Sequence, residues 1–306
     1  MSEQLLHPLA SLGRPSRNHF FEAHRNPFQE KFSNLTDAEW EGLLARSSEH
    51  NEVDGVWFPG FPANEIQMGM HGTTSRQSVE GAMKFYRFIQ GHAAAHGGRI
   101  GNEHRLLDFG SGWGRMLRPF MRDVSLQNLI GLEPNPWFCM LARGLNPYIS
   151  FLNSDFLPPA PVRSGHLDAV ISWSVFSHLG ERLARAWLTE FSRMCRPGAK
   201  LYLTTWGARF FDTLDDARLR RERGEDIHFY HGIVLDAMGG ELAQHRANYE
   251  RGDFIFLPSQ GTDTYGEAWI SPKCMARMIP YDLRVLTHDS TALSQDVFVL
   301  ERTGAT

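Results

Sequence analysis

Between residues 104 and 207, short apolar runs alternate with longer stretches whose apolar positions recur at helical spacing. The runs at 105–109, 129–132, 148–152, 167–173 and 200–206 read as strands. The stretches at 113–122, 137–145 and 181–195 read as helices, the last closed by a Pro197-Gly198 stop signal. The 167–173 run is apolar throughout, as in a strand buried on both faces. Such alternation predicts a mostly parallel sheet with right-handed crossovers. Upstream, 34–46 reads as a short capped helix and 57–62 as an aromatic loop broken by proline. Val79, Ala82, Met83, Tyr86 and Ile89 predict a helix over 78–96. Downstream the rhythm breaks. Residues 212–223 read as a helix with an arginine-rich solvated face, and 224–266 show no assignable period. A short helix follows at 271–278. Strands at 283–287 and 297–301 are too close for a crossover helix and predict an antiparallel pair.

Composition narrows the setting. The chain has 306 residues, of which 42% are hydrophobic, enough for one elaborated α/β domain or two smaller ones. A net charge of −4 disfavours a nucleic-acid partner. Cys139, Cys195 and Cys274 stand far apart, so neither a disulfide frame nor a zinc site is expected. The N-terminal residues lack the pattern of a secretory leader, and no window of eighteen apolar residues occurs. A cytoplasmic protein without a membrane span is the expectation.

The densest chemical signal lies at 105–115, Arg-Leu-Leu-Asp-Phe-Gly-Ser-Gly-Trp-Gly-Arg. A strand ending in Asp108 turns sharply through Gly110, Ser111, Gly112 and Gly114. Glycines permit the bend and let backbone approach a ligand. The amides of the helix expected next would then face a negative group. A dinucleotide fingerprint needs GxGxxG, whereas here the third glycine comes one residue early. That spacing argues against a pyrophosphate ligand, and so against a nicotinamide oxidoreductase. Nineteen residues past Gly114, Glu133 ends the next strand ahead of Pro134. A carboxylate there has the acceptor capacity to hold two ribose hydroxyls.

Leu106 to Gly114 resembles motif I of class I S-adenosylmethionine (SAM)-dependent methyltransferases, and Glu133 matches the acid at the end of their second strand. Asn153-Ser154-Asp155-Phe156 is similar to their third motif, and Leu167 to Leu179 to the fourth-strand motif. Arg196-Pro197-Gly198-Ala199 resembles the turn before the fifth strand, with Ala199 in place of a second glycine. The resemblance implies a Rossmann-like α/β fold: about seven mostly parallel strands with an antiparallel last strand. It divides the chain into an N-terminal helical cap over 1–99 and a SAM-binding domain over 100–306, with a substrate-side insertion near 208–270. It implies SAM as cofactor and S-adenosylhomocysteine as product. The cofactor residues are then Asp108, Gly110, Ser111, Gly112, Gly114, Arg115, Glu133, Pro134, Asp155, Phe156, Trp173 and Ser174. Tyr265-Gly266-Glu267, and Gln295-Asp296 before the last strand, resemble bacterial members of glycan and secondary-metabolite pathways.

The implied reaction is methyl transfer to an oxygen or nitrogen of a small molecule such as a sugar or natural-product intermediate. Alignment of donor and acceptor supplies much of such a catalysis, and a base is needed only for a protonated nucleophile. The sulfonium end of the ligand is expected over the carboxyl ends of the first and fourth strands, near Asp108, Gly110, Trp173 and Ser174. His178 is the candidate base, against the alternative of a histidine at a helix start that only bonds locally. Tyr265 and Glu267 join it as catalytic candidates, and Tyr230 and His231 as substrate-side ones. Arg115 either meets the methionine carboxylate or is a structural arginine. Trp113 either covers the ligand or, preferably, packs on the N-terminal region. His71 and Gly72 are placed near the cofactor by position only, and Trp57, Phe58 and Phe61 line an acceptor pocket or form core. His228, His231, Asp236 and His245 match no metal-ligand spacing, so no metal is expected. The competing class is a SAM-binding regulator or complex subunit without catalysis.

Overall fold

In chain order the helices and strands are α1 (Pro27–Phe32), α2 (Asp37–Arg46), β1 (Glu52–Val53), β2 (Val56–Trp57), α3 (Asn64–His71), α4 (Ser75–Ala95), β3 (Leu106–Phe109), β4 (Leu129–Glu133), α5 (Pro136–Leu145) and β5 (Ser150–Asn153). There follow β6 (Leu167–Ser172), α6 (Glu181–Met194), β7 (Cys195–Thr205), α7 (Ala208–Glu222), α8 (Phe229–Ala237), α9 (Leu242–Arg251), β8 (Ile255–Pro258), β9 (Gly266–Trp269), α10 (Pro272–Met278), β10 (Leu283–Asp289) and β11 (Asp296–Arg302). This computed structural model describes residues 25–259 and 261–304. The first 24 residues of the expected cap, and with them the stretch read for a leader, lie outside the described residues.

The fold is α/β, with a seven-stranded sheet in the order β10-β11-β7-β6-β3-β4-β5. The last strand, β11, runs antiparallel to both β7 and β10. The remaining described pairings, β3–β4, β4–β5 and β6–β7, are parallel. The chain divides at Asn153–Ser154 into two units.

In the first unit, β3 is buried along its whole length. Its N-terminal elements gather round an aromatic core of Phe28, Phe32, Trp40 and Phe58, each at most 3% exposed. Phe58 is therefore core. Thr36 caps α2, with its hydroxyl on the Glu39 amide and the Glu39 carboxylate on the Thr36 amide. The helix expected over 113–122 does not form. Turns follow the glycines, and only a short 3₁₀ segment, Arg118–Arg122, is regular. Gly114 sits at φ +86°, which no α-helix admits, and Pro119 lacks the amide that would bond back one turn.

In the second unit, β6 is buried at every residue, as its unbroken apolar run predicts. The Pro197-Gly198 turn does not precede the fifth strand of the alternation. It lies inside β7, which pairs through Cys195↔Leu167 and resumes at Lys200↔Ala169 with the intervening residues looped out. The stretch without a period, 224–266, holds α8, α9 and β8, and β9 begins at its end. The antiparallel β8–β9 ribbon packs with α7, α8 and α9 around Phe210, Phe211, Leu214, Tyr249 and Trp269.

Candidate active site

Two clusters carry the predicted residues, one in each unit. In the first, Gly110, Gly112 and Gly114 all adopt the left-handed backbone, at φ +71°, +53° and +86°. The turn closes by the Gly114 amide donating to the Ser111 carbonyl at 2.8 Å. Glu133 bridges the turn and the end of its own strand. Its Oε2 accepts from the Gly112 amide at 2.8 Å and its Oε1 from the Asn135 amide at 2.9 Å. Each carboxylate oxygen has two lone pairs, so capacity for further donors remains. Burial pushes the Glu133 carboxyl up, against the pull of those two amides. Pro134 follows with its carbonyl on the Asn153 side chain, 3.2 Å away.

Beside the turn, Asp108 is 1% exposed, and among the described residues neither its Oδ2 nor the buried Ser111 Oγ has a hydrogen-bond partner. Burial pushes the Asp108 carboxyl well up, opposed by Arg115 and reinforced by Glu133. Arg115 Nη1 lies 3.5 Å from the Ser78 carbonyl, and burial draws its guanidinium down to about 10 against the field of Asp108. Unpartnered buried polar atoms are costly, so a ligand offering donors at this turn would recover that cost. SAM carries such donors, in its ammonium group and its ribose hydroxyls. The residues fit the cofactor: Asp108, Ser111, Glu133 and the backbone of 110–114 would hold it, and it would supply an activated methyl group.

Trp113 points the other way. It is 1% exposed, 5.3 Å from the Phe61 ring, and shares the Arg118 guanidinium with that ring at 4.6 and 4.3 Å. Arg118 also donates to the carbonyls of Pro59 and Gly60. The indole N–H donates to His71 Nε2 at 3.3 Å, so the ring proton of His71 sits on Nδ1, which faces Thr73 Oγ1 at 2.9 Å. Trp113 is therefore the anchor of the 57–74 segment. Gly72 ends α3 in the left-handed conformation. A Cβ placed on Gly112 would lie 2.6 Å from Met70 Cε, so α3 lies directly against the glycine turn.

Burial, with Arg115 adding to it, holds His71 down to about 3. The unfolded chain therefore binds one more proton there between the ordinary 6.5 and about 3. This contribution to stability is complete above the unfolded value and is lost as pH falls through that window. Denaturant titrations from pH 7 to pH 4 should show a shallower pH slope for His71→Gln; identical slopes would remove His71 as the cause. Glu133→Ala should weaken SAM binding by about 1.5–3 kcal/mol, the scale of hydrogen bonds to a charged group. Calorimetry on the folded variant checks this, and unchanged affinity would take Glu133 out of the site.

The second cluster forms where β9 runs along the chain after β6. The Ala268 amide donates to the Ser177 carbonyl at 2.7 Å, and the Gly266 amide to the His178 carbonyl at 3.0 Å. His178 Nδ1 lies 2.9 Å from the Gly266 carbonyl. A carbonyl can only accept, so Nδ1 carries the proton and Nε2 of the neutral ring is an acceptor. Nε2 lies 3.5 Å from Ser174 Oγ. Tyr265 stacks on the imidazole at 5.3 Å and 16°, and Glu267 Oε1 lies 3.5 Å from Nδ1. The three catalytic candidates thus share one cluster. Gly266 is needed there, since a Cβ would lie 2.0 Å from the Leu257 carbonyl oxygen.

Ser174 holds a left-handed backbone at φ +56°, rare for a residue with a side chain. Its amide donates to Thr204 Oγ1 at 2.7 Å, and its hydroxyl receives the Gln295 amide at 2.9 Å. Trp173 is half-buried beside it. Asp155 and Phe156 are exposed, with the Phe156 carbonyl accepting from the Trp187 indole at 2.8 Å. His228 caps α8 through its Nδ1, and Asp236 pairs with Arg221 at 2.6 Å. Trp206 was not anticipated, although a half-buried indole at a strand end needs an acceptor; its N–H donates to Glu267 at 2.8 Å.

Residues 106–198 match the family model described as a methyltransferase domain. No curated protein matches the chain. Among solved structures, a SAM-bound amino pentose methyltransferase of calicheamicin biosynthesis from Micromonospora echinaspora is similar at 16% identity and a TM-score of 0.45, over 82% of this chain and 100% of that one. Magnesium protoporphyrin IX methyltransferase from Synechocystis PCC 6803, with bound S-adenosylhomocysteine, is similar at 14% identity and a TM-score of 0.47, over 78% and 94%. A protein from Pyrococcus horikoshii OT3 is similar at 11% and 0.49, over 79% and 96%. Over residues 106–198 the chain is thus similar to a methyltransferase domain.

Proposed function

We propose that the protein transfers a methyl group from SAM to an oxygen or nitrogen of a small, uncharged molecule, a sugar or natural-product intermediate, with His178 as general base. The observation that carries this reading is the imidazole itself. Its Nδ1 proton is committed to the Gly266 carbonyl, which leaves Nε2 as the proton acceptor. When bound, the cofactor supplies a methyl carbon whose bond to sulfur breaks as its bond to the acceptor forms. The chain orients the acceptor and takes its proton on Nε2. The imidazolium so formed stands 3.5 Å from Glu267. Trp206, Tyr230 and Tyr265 add aromatic surface, and no lysine or arginine enters the described hydrogen bonds of His178, Glu267 or Ser174. That composition suits a neutral acceptor.

In the same reading residues 1–99 serve as a cap and 208–270 as the acceptor-side insertion, within a SAM-binding domain over 100–306. Gly110, Asp155, Phe156, Trp173 and Ser174 remain proposed cofactor contacts. Among the described residues no helix is long and apolar enough to cross a membrane.

The experiment is label transfer. Full-length protein, SAM labelled in its methyl group and a fractionated small-molecule extract should yield a labelled metabolite with its label on oxygen or nitrogen. Tight SAM binding with no acceptor methylated in any fraction would replace this reading with that of a non-catalytic SAM-binding subunit.

A further inference from the structure

Glu267 does not face the His178 cluster as a free carboxylate. Its Oε2 accepts from the Trp206 indole at 2.8 Å and from the Tyr230 hydroxyl at 2.5 Å. Its Oε1 stands beside the His178 Nδ1–H. Burial, with the Glu267 carboxylate beside it, pushes the Tyr230 hydroxyl up, so it keeps its proton and donates. The two donors come from different places. Trp206 follows the end of β7, and Tyr230 lies in the first turn of α8. Trp206 is itself fixed by stacking on Phe210 at 4.0 Å. With Oε2 occupied and both side chains largely buried, it is Oε1 that faces the imidazole.

We propose that Tyr230, Trp206 and Glu267 form a positioning relay that aims His178 and supports the charge it gains, rather than touching the acceptor themselves. The proposal rests on the reading of His178 as the base. It reassigns Glu267 from a catalytic to a positioning residue, and it gives the α7–α9 insertion a part in the chemistry: α8 carries Tyr230, the donor that holds the carboxylate. A carboxylate pinned by two donors cannot swing away when the imidazole becomes positive, so its field is in place before the proton arrives.

Two readouts test this. The first needs no acceptor. Diethyl pyrocarbonate acylates an unprotonated imidazole nitrogen, and peptide mass mapping of the full chain gives the rate at His178. At a pH where the imidazole is neutral in every variant, Glu267→Gln should slow that rate about tenfold and Tyr230→Phe by less, because the carboxylate beside Nδ1–H makes Nε2 more nucleophilic. The double variant should be no slower than Glu267→Gln alone, since both changes act on one chain of contacts. The second readout uses the acceptor found by label transfer: kcat should fall in the same order while KM and SAM affinity hold. Tyr230→Phe keeps the ring and its packing, so it remains informative if Glu267→Gln folds poorly. Unchanged acylation rates in both variants, or additive losses in the double variant, would overturn the relay. Altered acylation with no methyl acceptor in any fraction would leave the relay standing and remove the catalytic reading instead.

Discussion

Replacing His178 with alanine is expected to lower the methyl-transfer turnover number by about 10²- to 10⁴-fold, the usual contribution of a positioned general base. The other groups of the cluster do not substitute for it. Glu267 Oε2 is occupied by two donors, and the Tyr230 hydroxyl is pushed up by burial and stays protonated. SAM affinity should be unchanged, because none of the partners of Glu133 involves this residue. Removal of the ring also deprives the Gly266 carbonyl of its donor, so alanine alone mixes structure with chemistry. His178→Asn separates them: its amide can still donate to that carbonyl, yet it offers no basic nitrogen. Both variants should fail to turn over the acceptor identified by label transfer. Wild-type turnover in either would make His178 a structural histidine.

Trp113→Ala is expected to cost about 3–5 kcal/mol of stability, the range for truncating a buried tryptophan. Three losses coincide there. A fully buried ring leaves a cavity beside Phe61, Arg118 loses one of its two aromatic faces, and His71 Nε2 loses its donor. Arg118 depends on those faces, because burial already draws its guanidinium down to about 9. Trp113→Phe keeps a six-membered ring but loses the N–H and part of the buried indole, so a cost above about 1 kcal/mol, the net worth of one hydrogen bond, and below that of alanine is expected. Denaturant unfolding of both variants checks the ranking. A Trp113→Ala midpoint matching wild type would show that the 57–74 segment is not anchored through this residue.

What could be read along the chain follows from how each element is buried. A strand buried on both faces, such as β6, leaves an unbroken apolar run, and β10 and β11 are close enough in sequence that a hairpin is the economical connection. The helix assigned to 113–122 failed because its apolar residues face a buried turn, while Gly114 and Pro119 decide the backbone. Residues 224–266 were illegible for a different reason. Helix α8 is apolar on both sides, with Phe229 81% exposed and Val234 buried, so it shows no stripe. Strands β8 and β9 have four residues each, too few for a period. The meeting of Asp108, Glu133 and the glycines was legible because adjacent strand ends bring them together. That His178 meets Gly266 across 88 residues is a product of the β9 pairing, which no spacing encodes.

The backbone of Ser174 has an evolutionary consequence. A side-chain-bearing residue in the left-handed region carries strain on the order of 1–3 kcal/mol, which glycine would relieve at once. Ser174→Gly would relieve that strain but would also take away the hydroxyl that receives the buried Gln295 amide beside His178. Serine or glycine at this position in related sequences would therefore record whether the contact to Gln295 or the freedom of the backbone is under selection.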